Sequence, residues 1–463
     1  MSDARNEYPR LCWGCLGIIM SYQEDTVNLN YGGRCLACVA AKAQVDCGTV
    51  TKLICQVPFV SGATQNGKGK VAAEQQASIF NGPIGAQLSQ LPLSTSAPGF
   101  ITLGGAPYKN LGSILIDRPD TVGLGKFVVA SSIQQFNFNH LDGIPIGNIP
   151  FVYTTSTGAA DFPTQIVSQI ESVSLKVNQY VVLATYGIGK KTDLSVIVPF
   201  SHVSIGAKAL NQITYYIDPK NNLGFSQAFA DNYVPGTASG VGDVTVNVKQ
   251  QLWSGGASKR GSMAVGGAMR FETGDALNYL GSGAYGFNLY GLIAYKAEVS
   301  PHAKFGYQWN TKSVLLNPTG TGPNLNLPGG AQYGGGVDIA MGSHVTASTD
   351  ILANEFVNSP YITPGCETIP ASSVNISTPV CGATSSNTPG SATQTLVTLN
   401  QSTVTYTTAN FSGGLKWKPF GGHGSASRLI VYGNVLIQMN NVGLRSDPSP
   451  SGGISWSFFA PLK

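Results

Sequence analysis

Charge is what this chain has least of. Asp, Glu, Lys and Arg make up 11% of its 463 residues, against roughly 25% in soluble domains. A soluble protein of this size carries more Lys and Glu on its surface, so an ordinary water-facing exterior is disfavoured. Long apolar runs are also missing. No stretch reaches the roughly 18 residues that a membrane-spanning helix needs. Basic clusters with interleaved aromatics are absent and the net charge is only +4, so nucleic acid is not an expected partner. The five histidines, His140, His202, His302, His344 and His423, have no nucleophile motif beside them, and no Gly-x-Ser-x-Gly elbow occurs. Catalysis needs a full constellation of nucleophile, base and orienting group, so an enzyme is not expected, and no cofactor is implied. The histidines read as polar lumen or rim residues.

Glycine, at 57 residues, and hydrophobic residues, at 42%, are plentiful. A disordered chain would hold fewer Val, Ile, Phe and Tyr. The clearest order is a period of two. In VGDVTVNVKQQLW, Val244, Val246, Val248 and Leu252 fall on one face, with Asp243, Thr245, Asn247, Lys249 and Gln251 on the other. After the turn SGGASKRG, Met263, Val265, Met269 and Phe271 oppose Ser262, Arg270 and Glu272. Alternation over about ten residues, twice, is the mark of a hairpin in a transmembrane β-barrel, apolar toward lipid and polar toward the lumen.

The same pattern recurs about twelve times from Gly123 onward. Candidate strands lie near 124–139, 170–187, 191–206, 241–254, 261–273, 285–299, 301–312, 330–342, 344–358, 402–418, 427–440 and 450–459. Their connections alternate between short, as at 188–190 and 255–260, and long, as at 140–169, 207–240, 313–329 and 359–401. Outer-membrane barrels have short periplasmic turns and longer extracellular loops. The expected fold is therefore all-β: a transmembrane antiparallel barrel of about twelve strands in the outer membrane of a Gram-negative-type bacterium, both termini periplasmic. Outer-membrane lipid surrounds it. Trp253, Phe271, Trp309, Trp417, Trp456 and Phe458 suit interfacial aromatic girdles.

Three regions are expected: a leader at 1–43, an N-terminal extension at 44–122, and the barrel at 123–463. In the leader, Cys12-x-x-Cys15 and Cys35-x-x-Cys38 have the spacing of a structural zinc site. Export through an oxidising compartment argues against reduced thiols there. Arg34-CLACVAA-Lys42-Ala43 instead resembles a signal peptide cleaved before Gln44. The extension is mostly irregular, with one helical patch at 70–92 broken at Gly82-Pro83, and is either a periplasmic cap or a lumen plug. Cys47 with Cys55, and Cys366 with Cys381, are candidate local disulfides.

By alternation the lumen collects Lys126, Lys176, Asp193, Lys249, Arg270, Glu272, Lys296, Glu298, Lys304, Asp338, Asp350, Lys416 and Arg428. Twelve strands enclose less space than the 16- to 18-stranded porins. Charges of both signs there either form an ion-pair network that supports a closed barrel or make a polar constriction that filters solutes.

VGLGKFVVASSIQQFNFNHLDG, TDLSVIVPFSHVSI, GVGDVTVNVKQQLW, RFETGDALNYLGSGAYGFNLYGLIAY and SPHAKFGYQWN resemble a family of bacterial outer-membrane proteins labelled as transporters or as meta-pathway of phenol degradation proteins. The resemblance spans roughly residues 110 to 459. It implies a barrel that passes small hydrophobic or aromatic compounds and carries no catalytic motif. The chain departs from the usual barrel ending. Trp456, Phe458 and Phe459 precede Ala-Pro-Leu-Lys, so the terminal aromatic read by the barrel-assembly machinery is displaced. The leading expectation is an outer-membrane channel for a small-molecule solute. The rivals are an adhesive barrel that binds a partner through 207–240 and 359–401 and, with less support, an enzyme. Neither the solute nor the oligomeric state is encoded in any motif.

Overall fold

In the computed structural model the described residues are 52–55, 69–91, 110–149, 151–157, 164–216, 225–255, 260–316, 325–370, 381, 393–420 and 429–459. The chain divides into Met1–Ala43 and Gln44–Lys463. Residues 1–43, expected as a leader and holding Cys12, Cys15, Cys35 and Cys38, lie outside the described residues, as do Cys47 and Arg428.

The strands are β1 (Lys126–Leu141), β2 (Ile144–Pro145), β3 (Phe151–Thr157), β4 (Thr164–Gly187), β5 (Thr192–Tyr216), β6 (Phe225–Val241), β7 (Thr245–Ser254) and β8 (Gly261–Arg270). They continue with β9 (Gly286–Tyr295), β10 (Val299–Asn310), β11 (Gly330–Ala340), β12 (Val345–Pro370), β13 (Thr393–Trp417), β14 (Leu429–Gln438), β15 (Leu444–Ser446) and β16 (Ser449–Phe459). Twelve of them close an antiparallel barrel in the order β1, β4, β5, β7, β8, β9, β10, β11, β12, β13, β14 and β16. The ring shuts where β16 returns to β1, from Phe127 opposite Phe458 to Gln134 opposite Ser451. Closure leaves the wall no free edge, as hydrocarbon requires.

The faces follow the alternation. Val248, Met263, Val265, Leu289, Ile293 and Phe305 all point outward and stay exposed, Phe305 at 65%. Exposed apolar side chains all round a closed sheet are the inverse of a water-soluble barrel and define a lipid-facing wall. Aromatics gather at both ends of the strands. Trp253, Tyr295, Trp417 and Trp456 lie toward the short turns, and Tyr285, Phe287, Trp309 and Tyr333 toward the long connections. That is the girdle arrangement of interfacial side chains.

The long connections differ from the expected loops. Within 207–240, residues 207–216 continue β5 and 225–240 belong to β6, and the two strands pair from Phe200–Val241 to Tyr216–Phe225. β12 and β13 pair as far as Pro370 and Thr393, so part of 359–401 is a continued hairpin. It is bridged by a disulfide between Cys366 and Cys381. Within 140–169, β3 extends the sheet beside β4. Strands outside hydrocarbon need no apolar face, so the hydrophobic period fades while the hydrogen-bond ladder continues. Pro235 fits in β6 because, among the described strands, β6 pairs only with β5 and edge strands tolerate proline.

The helix is one piece, Gly69–Leu88, and runs through Pro83 without the expected break. Proline costs a helix one hydrogen bond. Here tertiary packing outweighs that loss, since Phe80, Ile84, Ala86 and Gln87 around it are all buried. The helix sits among the long connections. Asn81 Nδ2 donates to the Ile54 carbonyl at 2.8 Å, and Tyr279 Oη donates to Asn81 Oδ1 at 2.9 Å. Gln90 Nε2 donates to the Pro328 carbonyl at 2.7 Å. Leu315, Ile362, Leu399 and Leu444 join Phe80 and Ile84 in one apolar cluster. Cys55, itself part of this cluster, is disulfide-bonded.

The same end is tied by Asp142, whose carboxylate accepts from the Ile362 amide at 2.9 Å and the Gly443 amide at 3.0 Å. Burial pushes the Asp142 carboxyl up to about 6, against the lowering effect of those two amides and of Arg445. A folded-state value raised above the unfolded one means that stability is present in full below about pH 4 and is lost as pH rises through about 6. Denaturant unfolding in detergent should therefore show a stability decline of about 3 kcal/mol between these limits, and Asp142→Asn should flatten it. On the wall, Val265→Arg should cost about 2–4 kcal/mol in lipid, as an Arg near the midplane does, with Val265→Leu close to neutral. Reversible unfolding followed by tryptophan fluorescence reads both.

Candidate functional site: a chamber within the barrel

Residues 110–122 bind to inward-facing side chains near the short turns. Asn110 Nδ2 donates to the Asp338 carbonyl at 3.0 Å, and the Leu111 amide donates to Thr346 Oγ1 at 2.9 Å. Lys249 Nζ reaches both oxygens of Asp117, at 3.1 and 3.0 Å, and the Arg118 carbonyl at 3.0 Å. Arg118 faces Asp338 at 3.2 Å, and Asp120 pairs with Lys296. The Val122 amide donates to both carboxylate oxygens of Asp193 at 3.0 Å. The run Asp117-Arg118-Pro119-Asp120, the partner of so many barrel charges, was not among the expected site residues. Its signal was a burst of charge in a charge-poor extension.

Between this segment and the helix lies a cavity of about 310 Å³, lined by Leu88 to Leu91, by Leu115 and Asp117, and by inward side chains of eight barrel strands and the connection after β8. One part of its wall is built of amides. Asn288 Nδ2 donates to Gln308 Oε1 at 3.2 Å and to Gln332 Oε1 at 2.7 Å. Gln308 Nε2 and Arg270 both donate to Asn310 Oδ1, at 3.0 and 2.8 Å. Val177, Leu183, Ile197, Leu280 and Leu352 supply apolar surface. Strand register explains the layout, because residues two apart on neighbouring strands stack on one face.

Two glycines let side chains cross a strand. Tyr290 on β9 passes over Gly266 on β8, where a Cβ would collide with its ring, and donates to Asn247 Oδ1 on β7 at 2.8 Å. His302 on β10 reaches Asp350 on β12 at 2.7 Å, directly over Gly336 on β11. The other ring nitrogen of His302 lies 3.3 Å from Asp338. All three side chains are buried, and Lys416 on β13 lies fully buried within electrostatic range of both carboxylates. His302 was expected as a rim residue. Its place between two aspartates depends on β10–β12 register, which no local motif announces.

Of the other expected lumen residues, Asp193, Lys249, Arg270, Lys304, Asp338, Asp350 and Lys416 face inward. Lys126 is half-buried at the start of β1, and Lys296 sits at the end of β9 against Asp120. Three fall elsewhere. Lys176 is exposed on the outer face of β4, because the irregularity between Ile170 and Ser172 sets that strand's inward face at odd numbers. Glu298 is exposed in the turn before β10. Glu272 lies past the end of β8, half-buried in the connection. Among the described residues no group of His, Cys, Asp and Glu side chains has the arrangement to hold a metal ion; Asp338 and Asp350 lie against opposite nitrogens of the His302 ring.

The family model described as "Putative MetA-pathway of phenol degradation" matches residues 154–327, from β3 to the connection before β11. Over that stretch the chain is similar to the family named above. No curated protein matches the chain. Among solved structures, the chain is similar to an outer membrane channel from Pseudomonas putida F1, with 10% identity over 74% of this chain and 100% of that one, and a TM-score of 0.40. The toluene transporter TbuX of Ralstonia pickettii shares 11% identity over 81% of this chain and 99% of its own, at a TM-score of 0.26. A FadL homologue of Pseudomonas aeruginosa shares 8% over 72% and 88%, at 0.27.

The glycine crossing has a direct consequence. Gly336→Ala places a methyl group against Asp350 Oδ1 and the Thr349 carbonyl, and 2.9 Å from His302 Nε2. It should cost about 1–3 kcal/mol through overpacking. Gly335→Ala, whose Cβ meets nothing nearer than 3.5 Å, should change stability by less than about 0.5 kcal/mol. Denaturant midpoints in detergent compare the two.

Proposed function

We propose that this barrel is an outer-membrane channel for small solutes, with both termini in the periplasm and residues 44–122 as a plug within its lumen. The observation that carries the reading is the cavity of about 310 Å³ enclosed between the helix and the 110–122 segment. An interior of about eight strands is just filled by side chains, and the twelve strands here enclose more than that. A chamber lined by amides on one part and leucine and isoleucine on another is the composition of a small-molecule site. The short turns are then periplasmic and the long hairpins extracellular, the usual disposition of such barrels. Passage requires the plug to shift. Its ties at the periplasmic end are ion pairs, and loss of one partner of a buried pair costs roughly 3–5 kcal/mol, enough to change how often the segment leaves.

The neighbours named as channels or as a toluene transporter make a hydrophobic or aromatic passenger the working choice for this chain too. The adhesive reading has less support, since the base of the 359–401 hairpin is occupied in packing: Ile362 and Leu399 lie in the same cluster as Phe80 and Ile84 of the helix.

Planar-bilayer recording and proteoliposome flux test the proposal. The full chain should open rarely, and the double variant Asp117→Asn/Asp120→Asn should open at least about tenfold more often, the change that 1.4 kcal/mol produces. Silence from both proteins in both assays would dispose of the channel reading.

A further inference from the structure

We infer that the chamber takes a small organic monocarboxylate with an apolar body, its carboxylate held at Lys304 Nζ. The inference deepens the channel reading and rests on it for the idea that a solute enters. It starts from the charges on the cavity wall. Arg270 is engaged, 3.6 Å from Asp243 and donating to the Ser89 carbonyl at 2.8 Å and to Asn310 at 2.8 Å. Asp243 in turn accepts from the Ser282 amide at 2.7 Å and the Gly274 amide at 3.1 Å. Asp117 is held through both oxygens by Lys249.

Lys304 is different. Its Nζ lies 4.8 Å from the centroid of the Tyr290 ring; Asp117, already bound by Lys249, acts on it only through space, and no carboxylate among the described residues comes within ion-pair distance of it. A ring face offsets part of an ammonium's desolvation, yet an ammonium in a cavity whose nearest carboxylate is bound to another lysine remains costly. The position is built. Tyr290 is fixed over Gly266 by its bond to Asn247, and Lys304 stands on β10 opposite Leu292 of β9. A carboxylate arriving from solvent would supply a directly bonded counter-ion. Leu115, Leu183, Ile197 and Leu352 on the same cavity offer contact to an aryl or branched-alkyl body. At about 310 Å³ the volume lies at the small end of ligand pockets, which run from about 300 to 1,000 Å³, so one such molecule fits and a long-chain lipid does not.

The probes are benzoate and benzyl alcohol, which share a ring and differ in charge. Equilibrium dialysis against the full chain in detergent should show benzoate held more tightly than benzyl alcohol. Lys304→Met should weaken benzoate by about tenfold or more, the worth of a charge-assisted hydrogen bond, and leave benzyl alcohol unchanged. Lys304→Arg, which keeps the charge, should stay within roughly threefold of the native protein. Equal affinity of the native chain for the two probes overturns the inference without any variant. So does Lys304→Met binding benzoate as the native chain does.

Proteoliposome flux of the same probes separates this inference from the reading beneath it. Benzoate that binds at Lys304 but never crosses, alongside benzyl alcohol that never crosses, removes the channel and leaves the site. Both probes crossing at rates indifferent to Lys304→Met, with no preference in binding, removes the site and leaves the channel.

Discussion

A backbone amide in hydrocarbon has no water to bond to, and the pairing of β16 with β1 is how this chain meets that demand. Once the ring is closed, each strand has one face in lipid and one in the lumen. The outward side chains become apolar because their solvent is lipid. The inward ones face a space that water, solute or the chain's own extension must fill. The low charge content follows from the same constraint, since half of each spanning segment is denied to charged residues.

The charges that remain are concentrated inside, where they are screened least, and most are tied to one another. Lys249 with Asp117, Arg118 with Asp338, and His302 between Asp338 and Asp350 link segment 110–122 to β7 and β11 and tie β10 to β11 and β12. An ion pair removed from water is stabilising only when geometry and further hydrogen bonds are good, and the glycines on β8 and β11 supply the geometry. Without a side chain at Gly336, the His302–Asp350 bond crosses a whole strand. The fold thus trades strand propensity, which glycine lowers, for cross-strand contacts that set the shape of the lumen.

Much of the barrel was legible. The face assignment of Val248 against Lys249, or of Met263 and Val265 against Arg270, needed only the period of two, because lipid and lumen differ so sharply. The twelve spanning strands were visible for the same reason. Beyond the hydrocarbon that contrast vanishes, and the outer half of β5 with β6 read as loop. Lys176 was misplaced because one irregularity after Ile170 moves a strand's odd residues inward, and nothing in SQIESVSLKV marks where it falls. The helix was found, but the persistence through Pro83 was not, since it depends on Leu315 and Ile362 packing from distant loops.

Composition and alternation by themselves determined the class of the fold, its strand count and which face of most strands meets lipid, because these depend on residue type and a local repeat. The chamber came only from tertiary structure. Its walls join Leu88, Leu115, Ile197, Arg270, Lys304 and Leu352, residues far apart in the chain that meet only when register around a closed ring is set. The position of Lys304, over the Tyr290 ring and beyond ion-pair distance of every described carboxylate, exists only in the folded barrel. Neighbourhood across strands is a global quantity, and a period of two carries no record of it.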